Sequence, residues 1–276
     1  MALKLNKAIF NPSLYAAIRA TWFQDLPPTA TVAPRHHTAR WFGLLPPPEK
    51  SAFDAHCASS FAEALSSVSP RHFAIPSAPT WAAERLAGGL IAAPFLDTFG
   101  AGEDGGARDA LAAVLLLDQV SRNVYRDAEG QGLVYTHFDR LARSLVHLLL
   151  ALPPHPSASS SGEEKVAALS RPDTHPLIAA SHAYRSWFYM PLMHSEHLRD
   201  HELYLSLMSG CREEAAGRGD RDVVAAIDQS LDFELRHVGP LKRFGRYPHR
   251  NEVLGRESSE EEKVYLKNGG ETFGTG

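Results

Sequence analysis

"ARDALAAVLLLDQVSRNVYR" (107–126) decides the fold. From Ala110 to Leu117 every side chain is apolar, so on a helix they cover the whole circumference and not one stripe. Such a helix, placed around 107–118, has to be surrounded by other elements. It runs directly into Asp118 and Gln119, and Arg122, Asn123 and Arg126 follow at once. A carboxylate ending the most hydrophobic helix of the chain is buried, and a buried charge needs a partner.

Outward from this segment the patterns are helical, and period-two alternation is scarce. An amphipathic helix fits 12–23, with Asn11 or Ser13 as its cap and Leu14, Ile18 and Trp22 at helical spacing. Residues 24–40, rich in Pro and Thr, read as a loop. A proline brake at 46–48 opens a helix carrying Phe53, Cys57, Phe61 and Leu65. Residues 78–99 form a helical stretch weakened by Gly88, Gly89 and Pro94, and "AGEDGGA" (101–107) reads as a flexible connection. Further helices fit 133–150, 176–189 and 194–214. Another starts at 221 and stops at Gly239–Pro240. Between them, "PPHPSASSSGEEK" (153–165) is low-complexity, part of an insertion spanning about 153–175. Ser258 or Ser259 with Glu261 or Glu262 makes a capping box for a last helix. The expectation is an all-α protein forming a single domain, 1–276, of stacked antiparallel helices.

Composition narrows the function. At 276 residues, with 44% hydrophobic residues, core material is ample. A net charge of −4 argues against nucleic-acid binding, which shows a basic excess. No run of 18 apolar residues exists, which argues against a membrane span. Two cysteines, Cys57 and Cys211, make neither a disulfide framework nor a zinc site. The expected compartment is the cytoplasm. A mitochondrial address is the alternative, since Lys4, Lys7 and Arg19 precede the first acid, Asp25.

Two more segments combine charge with apolar residues. In "WFYMPLMHSEHLRDH" (187–201), Pro191 suits a helix start, and His194, Ser195 and Glu196 follow. His194, His197 and His201 fall on one helical face, and His197 with His201 has the spacing of helical metal ligands. Fourteen histidines produce such spacings by chance, so no metal is assigned. Met190 and Met193 read as core or pocket lining. Ser195 and His194 are sequence neighbours pointing to different faces and do not make a nucleophile pair. In "RFGRYPHRN" (243–251), Gly245 and Pro248 mark a turn presenting Arg243, Arg246, His249, Arg250 and Asn251, with Phe244 and Tyr247 packed beneath. Planar guanidinium groups held there suit a carboxylate or phosphate.

These three segments together resemble the DUF924 family, and the Trp22–Phe23, Trp41–Phe42 and Phe53–Asp54 pairs fit it too. The resemblance covers nearly the whole chain apart from the two insertions. It implies a single helical domain similar to tetratricopeptide-like folds, and it implies no reaction. The family pattern H-S-E-D-L-x-x-Q matches His194, Ser195 and Glu196, whereas His197 and His201 replace its Asp and Gln. His237 matches a family histidine.

Six arginines, at 122, 126, 243, 246, 250 and 256, outnumber the acids Asp118, Glu196 and Glu257 in these motifs, which points to a missing anion. The sequence therefore suggests an enzyme acting on a small anionic molecule. Arg246 and Arg250 would hold the anion, with Arg122, Asn123, Arg126, Ser195, Arg243 and Asn251 around it. His194 or His249 would move a proton, oriented by Glu196 or Asp118. No redox-cofactor motif, phosphate-binding glycine loop or nucleophile triad is present, so no cofactor is expected and the chemistry would be hydrolytic, lyase-like or isomerising. A non-catalytic helical scaffold for a protein partner is the other reading.

Overall fold

The computed structural model describes residues 3–78, 80–100, 102–153 and 170–273. The low-complexity insert at 153–165 lies almost wholly outside them. Among the described residues every regular element is helical, as the sequence predicts.

Asn11 opens α1 (Pro12–Phe23) by accepting from the Ser13 and Leu14 N–H groups. The stretch read as a loop at 24–40 contains a helix, α2 (Arg35–Trp41), because burying His37 and Trp41 outweighs its weak local signal. Two prolines in the first turn start α3 (Pro47–Ser67), which buries Cys57, Phe61 and Leu65. Thr80 caps α4 (Trp81–Leu96), and this helix runs unbroken through Gly88, Gly89 and Pro94. The connection expected at 101–107 is already helical from Glu103, where α5 (Glu103–Leu115) begins.

From Asp109 to Ser121 every residue is buried, so this segment is the centre its composition demands. At Leu116–Val120 it widens into a π-turn before α6 (Ser121–Val124). Widened turns of this kind concentrate at functional sites, and this one carries Asp118 and Gln119. After α7 (Ala128–Leu133) a second π-turn, Val134–Phe138, leads into α8 (Asp139–Leu150).

The helix expected over 176–189 is instead a chain of single turns: α9 (Pro176–Ala179), α10 (His182–Arg185) and a 3₁₀ turn at Ser186–Phe188. α11 (Met190–Met193) follows. Pro191 sits in the first turn of α11, where its missing N–H costs nothing. α12 (Leu198–Gly217) begins at Leu198 and not at 194, which leaves His194, Ser195 and Glu196 in the connection before it. α13 (Arg221–Phe244) passes through the stop expected at Gly239–Pro240, since Pro240 removes just one internal hydrogen bond. It ends where Gly245 takes the left-handed conformation at φ +71°. Ser259 and Glu262 complete the capping box of α14 (Glu260–Lys267).

α4 packs on α8, α12 on α13, α3 on α6 and α1 on α5. A tryptophan cluster ties the N-terminal helices to the middle of the chain: Trp187 meets Trp22 and Trp41 edge-on, with ring centroids 5.2 and 5.1 Å away. Its indole N–H donates to the Ala183 carbonyl oxygen. Among the described residues no helix is long and apolar enough to cross a membrane. Because Trp187 is buried and shared by three segments, Trp187→Ala is expected to destabilise the fold by about 3–5 kcal/mol. Denaturant titration should show a lower midpoint at unchanged slope.

Candidate functional site

Asp118 has no exposed surface, and burial alone would push its carboxyl pKa up. His194, Arg122 and the Gln119 amide pull it instead to about 2, so the group is ionised. His194 Nδ1 lies 2.7 Å from Oδ1, the Gln119 amide donates to Oδ2 at 2.6 Å, and Arg122 Nη2 stands 3.5 Å from Oδ1. A carboxylate only accepts, so His194 Nδ1 carries the proton and Nε2 keeps the lone pair. Burial and then Arg122 hold the imidazole pKa of His194 below its ordinary value, against the pull of Asp118. The ring is therefore neutral near pH 7.

His194 lines a cavity of about 270 Å³ between α2, α3, α6 and the 190–194 turn on one side and α13 with residues 271–273 on the other. Arg122, Asn123 and Arg126 line it too, so the first predicted segment and His194 of the second do converge. Arg40, Lys50, Arg236 and His237 complete its polar wall, none of which was singled out as a ligand residue from sequence. Trp41, Phe42, Phe53, Phe233 and Phe273, with Met190 and Met193, give the apolar wall. His237 donates from Nδ1 to the Phe233 carbonyl oxygen and stacks on Phe273 at 3.5 Å, so its Nε2 is also an acceptor.

The third segment does not reach the cavity, and its arginines are spent on carboxylates. Arg246 grips Glu262 with two bonds of 2.7 and 2.8 Å. Arg243 pairs with Glu261 on the surface. Arg250 is buried between the rings of Tyr135 and Tyr247, 4.3 and 4.7 Å from their centroids, and stands 3.5 Å from Asp139. The Asn251 amide donates to Ser258 Oγ. His249 packs against Tyr247 and Phe273, and burial pushes its pKa down to about 3. Glu196 takes two bonds from Arg256 and one from the Tyr247 N–H, which makes it a clamp on the 243–256 loop. The expectation that Arg246 and Arg250 hold the anion, with Glu196 or His249 beside it, is thus corrected.

The remaining predicted residues have protein partners as well. Asp118 pairs with Arg122 and His194, and Asp139 is the acid that meets Arg250. Arg122 donates to Asp139 at 2.5 Å, joining both acids. Arg126 and Asn123 bind Asp54 across a part-buried contact with α3. Ser195 donates to Asp200 and accepts from Arg143, and Arg143 also pairs with Glu84. His201 uses both nitrogens, on Glu234 and on the Ser195 carbonyl oxygen, so it is not a metal ligand with His197. Among the described residues one trio, Asp25, His36 and His37, brings possible ligand atoms within 4.8 Å, away from the cavity. His37 Nε2 is already bonded to the Phe23 carbonyl oxygen.

A family described as "Bacterial protein of unknown function (DUF924)" matches residues 18–270. A solved structure, the protein of unknown function ATU0120 from Agrobacterium tumefaciens, is 24% identical with a TM-score of 0.45. That likeness covers 93% of this chain and 98% of the other. No curated protein matches.

Histidines buried in the neutral form give a pH signature. Burial lowers the pKa of His237 to about 3 and that of His182 to about 4, both below the unfolded value of about 6.5. Below pH ~6.5 the unfolded chain takes up protons that the folded chain refuses, so stability falls as pH falls. The loss is about 1.4 kcal/mol per pH unit for each such histidine and levels off at the folded pKa. Melting temperatures measured from pH 7 to pH 4 should drop accordingly, and His182→Asn should flatten the decline.

Proposed function

The chain belongs to the DUF924 family, and on that premise we propose that it is an enzyme that binds a small anionic substrate in this cavity and uses His194 as general base. The observation that carries the reading is the orientation of one ring. His194 turns Nδ1 onto the buried Asp118 carboxylate and lines the cavity, and Nε2 has no hydrogen-bond partner among the described residues. A neutral imidazole fixed in this tautomer accepts a proton at Nε2, while Asp118 steadies the imidazolium that results. Asp118 is then a positioning residue.

Two cations in the wall, Arg40 and Lys50, have no carboxylate partner among the described residues, which favours an anion as occupant. Proton removal from water begins a hydrolysis, and proton removal from carbon begins an elimination or an isomerisation. Arg122, beside His194, would stabilise the negative charge that such a step develops. The cavity is at the small end for ligand sites, which suits a metabolite better than a polymer.

A thermal-shift screen against carboxylate and phosphate metabolites should find a stabilising ligand, and turnover can then be sought with it. His194→Gln is expected to reduce kcat by about 10²–10⁴ with little change in binding. Asp118→Asn should also lower kcat. Arg246→Gln, remote from the cavity, should leave turnover unchanged. The rate should be flat above pH ~6.5 and fall on the acid side, since His194 loses its proton below its ordinary value. Equal turnover by wild type and His194→Gln would overturn the proposal.

A further inference from the structure

The cations of the cavity wall differ in how far they are already neutralised. Arg122 is shared between Asp118 and Asp139. Arg126 is bound to Asp54, and Arg236 forms two bonds of 2.7 and 2.8 Å to Glu271. Arg40 has no carboxylate within ion-pair reach among the described residues. It donates only to neutral oxygens, the Gln24 side chain at 2.5 Å and the Trp22 carbonyl at 3.2 Å. Asp25, whose charge Arg40 feels, is exposed and sits against His37 at 3.3 Å. The Lys50 ammonium has neither a hydrogen bond nor an ion pair among the described residues.

The two residues flank one turn of the cavity wall. Arg40 lies in the last turn of α2 and Lys50 in the first turns of α3. Between them the chain reverses at Gly43, where φ is +67° and a side chain would be strained. Lys50 Nζ lies beside this turn, 3.9 Å from where a Cβ on Gly43 would sit. Phe42, Gly43 and Leu45 of the same turn line the cavity. Much of the rest of the wall is aromatic. Arg40 stands 5.8 Å from the Phe53 ring centroid, and Phe42 and Phe233, which line the cavity, are 51% and 38% exposed. Aromatic surface left open beside unneutralised cations suits a ligand with a charged head and an apolar body.

We infer that the cavity takes a phosphorylated compound with an apolar body, its phosphoryl head held by Arg40 and Lys50 and its body lying on Trp41, Phe42, Phe53 and Phe233 toward His194. The inference rests on reading this cavity as the substrate site. Two unneutralised cations in one wall match a head carrying about −1.5 to −2 charge at pH 7, as a phosphate monoester does. A carboxylate would satisfy only one of them.

Calorimetric titration with phenyl phosphate, inorganic phosphate and benzoate tests both halves. Phenyl phosphate is expected to bind about tenfold or more tighter than either of the others. Arg40→Gln and Lys50→Gln, each checked for an unchanged melting temperature, should each weaken phenyl phosphate about tenfold or more, the loss of one charge-assisted hydrogen bond. Inorganic phosphate or benzoate binding as tightly as phenyl phosphate would overturn the inference. So would wild-type affinity in both variants. Turnover that needs His194 but neither Arg40 nor Lys50 would overturn the inference and leave the general-base reading standing. Phenyl phosphate binding that needs both cations, in a protein whose His194→Gln variant turns over like wild type, would support the inference and overturn the base.

Discussion

A carboxylate with no exposed surface stays ionised only if the protein replaces the water it has lost, and Asp118 receives that replacement from three sides. Removing water from such a group costs several kcal/mol, and only well-placed donors offset this. The donors come from the π-turn itself (Gln119), from the helix after it (Arg122) and from a connection 76 residues further on (His194). Fixing the charge therefore fixes the packing of the middle of the chain on the 190–197 segment. It also sets the tautomer of His194, because only an Nδ1–H can serve the carboxylate. One electrostatic requirement thus builds both the scaffold and the nitrogen that a ligand would meet.

The same logic extends outward as a chain of alternating charges. Asp118 leads to Arg122, Arg122 to Asp139 and Asp139 to Arg250, which two tyrosine rings enclose. Arg256 and the Tyr247 N–H then tie Glu196 to the 243–256 loop. Breaking one member of a buried pair leaves an uncompensated charge, which costs about 3–5 kcal/mol. The arginine-rich loop is accordingly a brace. It supports Tyr247, and Tyr247 meets the edges of His237 and His201 behind the cavity.

Much of the fold was legible because it is written in local patterns. The uninterrupted apolar run at 110–117 gave the centre, Asn11 and Ser259 gave helix starts, and period 3.6 gave α3 and α13. What misled was punctuation. Pro240 and Gly89 sit inside helices, whereas 176–189 is broken although it looks continuous. The site was half legible. A carboxylate at the end of an apolar helix announced a buried partner, and His194 was marked by its company. The arginine surplus, however, came from counting acids only within the motifs. Asp54, Asp139, Glu261 and Glu262 lie 16 or more residues from the arginine each one neutralises, and nothing local links them. Arg40 and Lys50 carry no signal at all, since one lay in an apparent loop and the other looks like any first-turn lysine.

That contrast separates brace from binding surface better than residue type does. Nearly every arginine of the conspicuous motifs is paired, because a buried cation without an anion would unfold its surroundings. A cation can stay unneutralised only where water or a ligand reaches it, and among the wall residues this holds for Arg40 and Lys50. Proteins tolerate such local departures from their own rules chiefly at functional sites. Arg40 and Lys50 line the same cavity as His194, whose Nδ1 the buried Asp118 carboxylate holds.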